Sequence, residues 1–272
     1  MERFSTKPIS GCLVMSSLMA SSSLSMSCFA RAVTWSRSGL AAVSRATQPL
    51  LWLLVFGQVL ARTRAIPTGS LPYMDYLAPG VLAQSAQFSA IFYGLAVIWE
   101  RDLGLVHKLL VTPASRGSLV LGKAFAGGAR ALVQALIVYI AALAVGVGVR
   151  LDPVSIAEVA VVIVLGSSLF ATFSLVIACL VRSRERFMGI GQLLTMPLFF
   201  ASSAVYPVEL MPDWLRVIAN LNPLTYMVDA LRALMINGAP SPHGLALDVA
   251  VLTIVLIALV GLGARLYPRL AQ

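Results

Sequence analysis

Charge is scarce in this sequence. Only 11% of its 272 residues are Asp, Glu, Lys or Arg, against 59% hydrophobic, and mean hydropathy is +0.89. A soluble domain carries about a quarter charged residues, so the shortage excludes an ordinary water-exposed surface and places the chain among membrane proteins. Histidine is nearly absent: His107 and His243 are the only two, which excludes a His-rich metal centre. The three cysteines, Cys12, Cys28 and Cys179, have neither disulfide-framework nor zinc spacing. Cys179 lies in an apolar run and acts as a small hydrophobe. No region gathers a histidine, paired carboxylates and a nucleophile, so no catalytic dyad or triad is expected. The sequence therefore predicts no metal, no cofactor bound by this chain and no enzyme activity of its own.

Long apolar runs are abundant. A membrane-spanning helix needs about 20 mostly apolar residues, because backbone polar groups must be satisfied internally in lipid. Six stretches meet this, at about residues 46–62, 76–99, 130–149, 158–181, 187–205 and 245–265. The first, centred on LLWLLVFGQVL, is short and relies on arginines at both ends reaching to the headgroups. The expected fold is an all-α polytopic membrane protein with six transmembrane helices, a single transmembrane domain over residues 31–272.

Basic residues set the orientation. With the N-terminus inside, the inner segments hold 15 of the 20 Lys and Arg and the outer segments hold five. By the positive-inside rule both termini are cytoplasmic. The net charge of +9 then belongs to cytoplasmic loops rather than to nucleic-acid binding. Residues 1–30, rich in Ser and Met, read as a flexible cytoplasmic tail rather than a cleaved signal peptide, since serines interrupt any apolar core. RAVTWSRSGLAAVSR follows. On a helical wheel Arg31, Thr34, Arg37, Ser38, Ser44 and Arg45 share one side and Val33, Trp35, Leu40 and Val43 the other. That pattern fits an interfacial helix on the inner leaflet, or a charged run-in to the first span.

The spans hold no Lys, Arg or carboxylate near a midpoint; Glu158 and Asp248 sit at outer ends. An ion-coupled carrier would place ionisable groups there. The polar span residues are Gln58, Gln84, Gln87, Gln134 and Gln192, with Ser167, Ser168, Thr172 and Ser174. They read first as hydrogen-bonding contacts between helices, and some could line a substrate path. Gly117–Ala124, GSLVLGKA, matches a phosphate-binding loop in outline only: Ala124 stands where a Mg²⁺-binding Ser or Thr is needed, and no strand precedes it. Lys123 is expected to reach the inner headgroups.

Between the second and third spans, WERDLGLVHKLLVTPASRGSLVLGK mixes both charge signs with apolar residues. As a helix over 100–110 it places Leu103, Val106 and Leu110 on one face and Glu100, Arg101, His107 and Lys108 on the other. Thr112-Pro113 stops it. A helix lying on the inner leaflet would show the same periodicity.

Three segments, YMDYLAPGVLAQSA, IWERDLGLVHKLLVTPASRGSLVLGK and YPVELMPDWLRVIANLNPLTYMVDALRAL, resemble the ABC-2-type permeases of ATP-binding-cassette exporters, most closely the drug-efflux branch. The resemblance spans roughly residues 73–235. It implies a cytoplasmic coupling helix after span 2 that docks on an ATPase subunit, carried over to Glu100, Arg101, Asp102, Gly104 and Leu105 and ended by Thr112 and Pro113. It implies short re-entrant outer helices after span 5, over Pro212, Trp214, Asn222, Pro223, Tyr226, Asp229 and Arg232. Asp229 and Arg232, spaced i, i+3, are expected to pair at a wet surface, where a pair contributes little. It also implies partners: an ABC ATPase subunit that holds ATP and Mg²⁺, a second copy of this permease or a homologous one, and the bilayer, with no nucleic acid. The expected location is the plasma membrane, and the expected cargo a drug, a lipid or a lipid-linked glycan. A secondary carrier, or a membrane-embedded enzyme or assembly factor, is the alternative.

Overall fold

The computed structural model describes residues 48–63, 66–68, 71–103, 115–181, 183–239 and 241–268, the side chain of Leu95 excepted. The expected tail over 1–30 and the interfacial helix over 31–45 lie outside the described residues.

Among the described residues the chain is helical and contains no strand; a single backbone bridge joins Val149 to Ile236. Helix α1 covers 48–63 and includes a π-helical stretch, Trp52–Gly57. Then come α2 (Tyr73–Asp102), α3 (Arg116–Ala144), α4 (Pro153–Leu180), α5 (Arg184–Phe200), α6 (Asp213–Leu221), α7 (Pro223–Met235) and α8 (Leu245–Leu266). Local chemistry sets several starts. Ser115 caps α3 by accepting from the Ser118 N–H at 3.2 Å, and Ser183 caps α5 from Arg186 at 3.3 Å. Pro153 and Pro223 open α4 and α7, where a missing N–H costs nothing.

Among the described residues, four helices, α2, α3, α4 and α8, are long and apolar enough to cross a membrane. They match the second, third, fourth and sixth expected spans, with one boundary corrected. The third helix begins at Arg116, not near 130. Charge was taken as the edge of that span, but two of its cations are accommodated within the helix. Lys123 pairs with Glu100 of α2 instead of reaching for headgroups, and the Arg130 guanidinium lies 4.7 Å from the centre of the Tyr93 ring. The phosphate-loop look-alike Gly117–Ala124 is continuous helix within α3. The fifth expected span, 187–205, is a helix of 17 residues that ends at Phe200; a buried turn over 201–205 follows. The described part of α1 packs on the start of α2, with Gly57 against Met74 and Leu77.

α4 is apolar on every side and lies at the centre, as such a helix should: α2, α3, α5, α7 and α8 all pack on it. Small residues let α3 come close. A Cβ on Gly128 would lie 2.7 Å from Ser168 Oγ and 2.9 Å from the Val164 carbonyl, the small-residue packing common between membrane helices. One hydrophobic core runs through α1, α2, α3, α4, α7 and α8. The succession of helices leaves two ends. The basic end carries Asp102, Arg116, Arg184 and Arg265; the opposite end carries the α3–α4 turn, α6, α7 and the start of α8.

Candidate functional site

At the basic end, Glu100, Arg101 and Asp102 are not a separate helix but the last residues of α2. Gly104, Leu105, Thr112 and Pro113 lie outside the described residues. The three charged side chains tie α2 to its neighbours. Glu100 accepts from Lys123 of α3. Arg101 donates to the Val181 carbonyl at 3.3 Å, just past the end of α4. Asp102 accepts a two-pronged bond from Arg184 of α5, at 3.0 Å from Nε and 2.7 Å from a terminal nitrogen. That guanidinium also lies 5.1 Å from the Trp99 ring centre. Beneath them Tyr267 is fully buried among Val97, Val120, Leu175 and Cys179, and burial pushes its hydroxyl up to about 12. Leu103, where the chain turns out of α2, is 73% exposed.

At the opposite end, α6 and α7 meet at Asn222-Pro223, a cap followed by a proline at the first helical position. The Asn222 side chain accepts from the Leu224 N–H at 3.0 Å and donates to the Leu198 and Ala201 carbonyls at 2.6 and 2.8 Å. One side chain therefore starts α7 and fastens it to the end of α5. Thr225 and Tyr226 donate to the Ala219 and Asn220 carbonyls, both at 2.7 Å, and close the corner. Pro212 precedes α6, and Trp214 on its outer face is 67% exposed.

Asp229 and Arg232 are the main correction. They pair at 3.0 Å as their spacing suggests, but inside the protein, with side chains 1% and 5% exposed. Arg232 also donates to the Ser203 carbonyl at 2.7 Å, and its guanidinium sits 3.8 Å from the Tyr76 ring centre. Asp229 accepts from the Ser203 hydroxyl at 2.7 Å. Burial pushes the Asp229 carboxyl above its ordinary value, against the pull of Arg232 and Ser203. His243 Nδ1 lies 3.6 Å from the other Asp229 oxygen. Asp248, expected at an outer end, is fully buried in the first turn of α8 and accepts from Ser241 at 2.6 Å. The i, i+3 spacing was readable in the sequence. The burial was not, because Tyr76 and Ser203, which enclose the pair, come from distant segments. The close approach there needs Gly80: a Cβ on it would strike the Ala204 backbone.

Two ends are thus built differently: an accessible cluster of interhelical ion pairs, and a buried charged knot that holds two short helices in place. Among the described residues there is no group of His, Cys, Asp and Glu able to hold a metal.

The sequence comparisons give the family. The chain is 30% identical over 204 residues to a transport permease of Cyanophora paradoxa, ycf38, covering 73% of this chain and 69% of that one. It is 28% identical over 192 residues to the permease of that name in Porphyra purpurea, covering 70% and 66%. It is 27% identical over 208 residues to nodulation protein J of Rhizobium leguminosarum bv. trifolii, covering 75% and 78%. Residues 22–236 match the family ABC-2 type transporter; this chain belongs to that family, as a multi-pass membrane subunit of an ABC transporter.

Proposed function

We propose that this chain is the permease of an exporter, moving a hydrophobic or amphipathic substrate outward, a drug, a lipid or a lipid-linked glycan, with energy from ATP hydrolysed on a separate ATPase subunit. The observation that carries the reading is the basic end. There α2 delivers Glu100, Arg101 and Asp102, the first residues of the segment the family resemblance assigns to ATPase docking, to a surface that α3, α4 and α5 also reach. A docking element needs rigid support from several spans if nucleotide-driven motion is to reach them, and these ion pairs supply it. Two permeases, identical or homologous, work together. The exposed apolar side chains of α1 (Leu51, Leu54, Val55, Phe56) and α5 (Met188, Leu193) leave faces for that contact and for lipid. The basic end is cytoplasmic by the positive-inside rule, in the plasma membrane, and the re-entrant α6–α7 corner faces outward.

The test is co-expression with a candidate ABC ATPase subunit from the same organism. The two chains should co-purify and restore efflux in a deletion strain, and the permease alone should bind no ATP. Single-cysteine labelling should find positions beside Arg116 and Arg184 inside and positions beside Thr68 and Asp213 outside; the reverse pattern overturns the orientation.

A further inference from the structure

Lipid-embedded helices bury polar side chains at a cost unless those side chains find partners. Three amides in the middle thirds of α2 and α3 do not. Gln84, Gln87 and Gln134 are 4%, 0% and 6% exposed, yet Gln84 Oε1, both amide atoms of Gln87 and Gln134 Nε2 make no hydrogen bond. Among the other buried polar side chains of the bundle, Thr172 donates to the Ser168 carbonyl, Thr195 to that of Gly191 and Ser85 to that of Leu82, whereas the Ser167 and Ser168 hydroxyls of α4 also lack a partner. Gln84 and Gln134 face a cavity of about 20 Å³ between α1, α2 and α3, completed by Gln48, Pro49, Ser85, Phe88 and Ser89. That holds roughly one water-sized group. No charged side chain lines it, and Gln48, Phe88 and Ser89 in its wall are half-buried. The π-helical stretch of α1, a feature frequent at functional sites, begins just after Gln48-Pro49.

We propose that Gln84 and Gln134 form a recognition subsite for an uncharged hydroxyl or amide group at the head of an amphiphile entering from the lipid between α1, α2 and α3. The proposal rests on the transport reading above and narrows its substrate class. Amides offer both a donor and an acceptor, so they match a hydroxyl or amide whichever way it is turned. They offer no full charge to offset the desolvation of an ammonium, sulfate or phosphate in a low-dielectric site. The small volume admits one such group at a time, so specificity lies in its neutrality rather than in its size.

The experiment uses the full chain in lipid nanodiscs with three amphiphiles of equal tail length, octyl glucoside, octyl sulfate and octyltrimethylammonium, each below its micellar concentration. A photoreactive octyl glucoside should label the α1–α2–α3 seam. Unlabelled octyl glucoside should displace it at least tenfold more effectively than either charged amphiphile. Gln84→Leu with Gln134→Leu should cut labelling at least tenfold while leaving the melting midpoint at or above that of the unaltered chain, since removing unpartnered amides relieves a cost. Unchanged labelling in the double variant, or equal displacement by the charged amphiphiles, overturns the proposal. A lowered melting midpoint also overturns it, by making the amides ties between helices. No ATPase is present, so failure here leaves the exporter reading untouched, and failure of ATPase assembly leaves this result standing.

Discussion

Asp102 and Asp229 each pair with an arginine at hydrogen-bond distance, yet they sit in opposite settings. Asp102 is 35% exposed and shares itself between Arg184 and Arg101, which are 48% and 22% exposed. Asp229 and Arg232 are sealed off, with Ser203 and the Tyr76 ring completing the enclosure. The same two residue types serve an accessible surface in one place and a structural clasp in the other. An exposed pair can exchange its partner for a docking protein at small cost. A buried pair cannot lose a member without leaving a charge stranded. The difference fits the proposal that one end meets the ATPase subunit while the other holds its own shape.

The largest expected effect lies at the clasp. Asp229→Ala or Arg232→Ala should destabilise the purified chain by about 3–5 kcal/mol, read as lost expression and a lowered melting midpoint. Asp229→Leu combined with Arg232→Met should recover most of that, because no charge is then stranded. If a single loss at the clasp costs no more than a loss at Asp102, the contrast between the two ends is wrong. Next comes Asn222→Ala, which removes a cap and leaves the Leu198 and Ala201 carbonyls without this donor. It should cost about 2 kcal/mol. Asn222→Ser, which keeps a cap acceptor, should recover about 1 kcal/mol; no recovery would mean the cap is irrelevant to α7. The smallest effect belongs to Arg184→Ala, below about 1 kcal/mol and weaker still at high salt. A larger, salt-insensitive loss in thermal melts would place Arg184 in the core of the fold rather than on an interface.

Much of this was legible in the sequence. Long apolar runs marked α2, α4 and α8, since lipid demands long self-satisfied helices and the charges in those runs, Glu158, Asp248 and Arg265, lie only at their ends. α3 was misplaced because a cation reads as the end of a span. Only the fold reveals that Glu100 neutralises Lys123 and that Tyr93 covers Arg130. The α5 segment read as one span because its hydropathy runs on through the turn after Phe200. The Asn222-Pro223 corner entered only through the family resemblance, and both its cap and its fastening to α5 required geometry. Gln84, Gln87 and Gln134 were visible as polar span residues. That they lack partners is a property of the packed bundle, which no periodicity reports. His243 and Asp248 passed as incidental because the groups they approach, Asp229 and Ser241, gain meaning only once α7 and α8 are brought together.

The central claim is that the end carrying Glu100 and Arg101 meets the ATPase. It is tested most directly by reversing both charges, Glu100→Lys with Arg101→Glu, beside a second variant that adds Lys123→Glu to restore the pair between α2 and α3. Co-purification of the ATPase and substrate efflux are measured for each. The account predicts that both variants insert in the membrane, that both lose assembly and efflux, and that restoring the internal pair does not rescue them, since a charge that meets the partner acts through its own sign. Wild-type assembly and efflux in the doubly reversed chain, or full rescue by Lys123→Glu, would show that these charges only brace α2 against α3, and would contradict the claim.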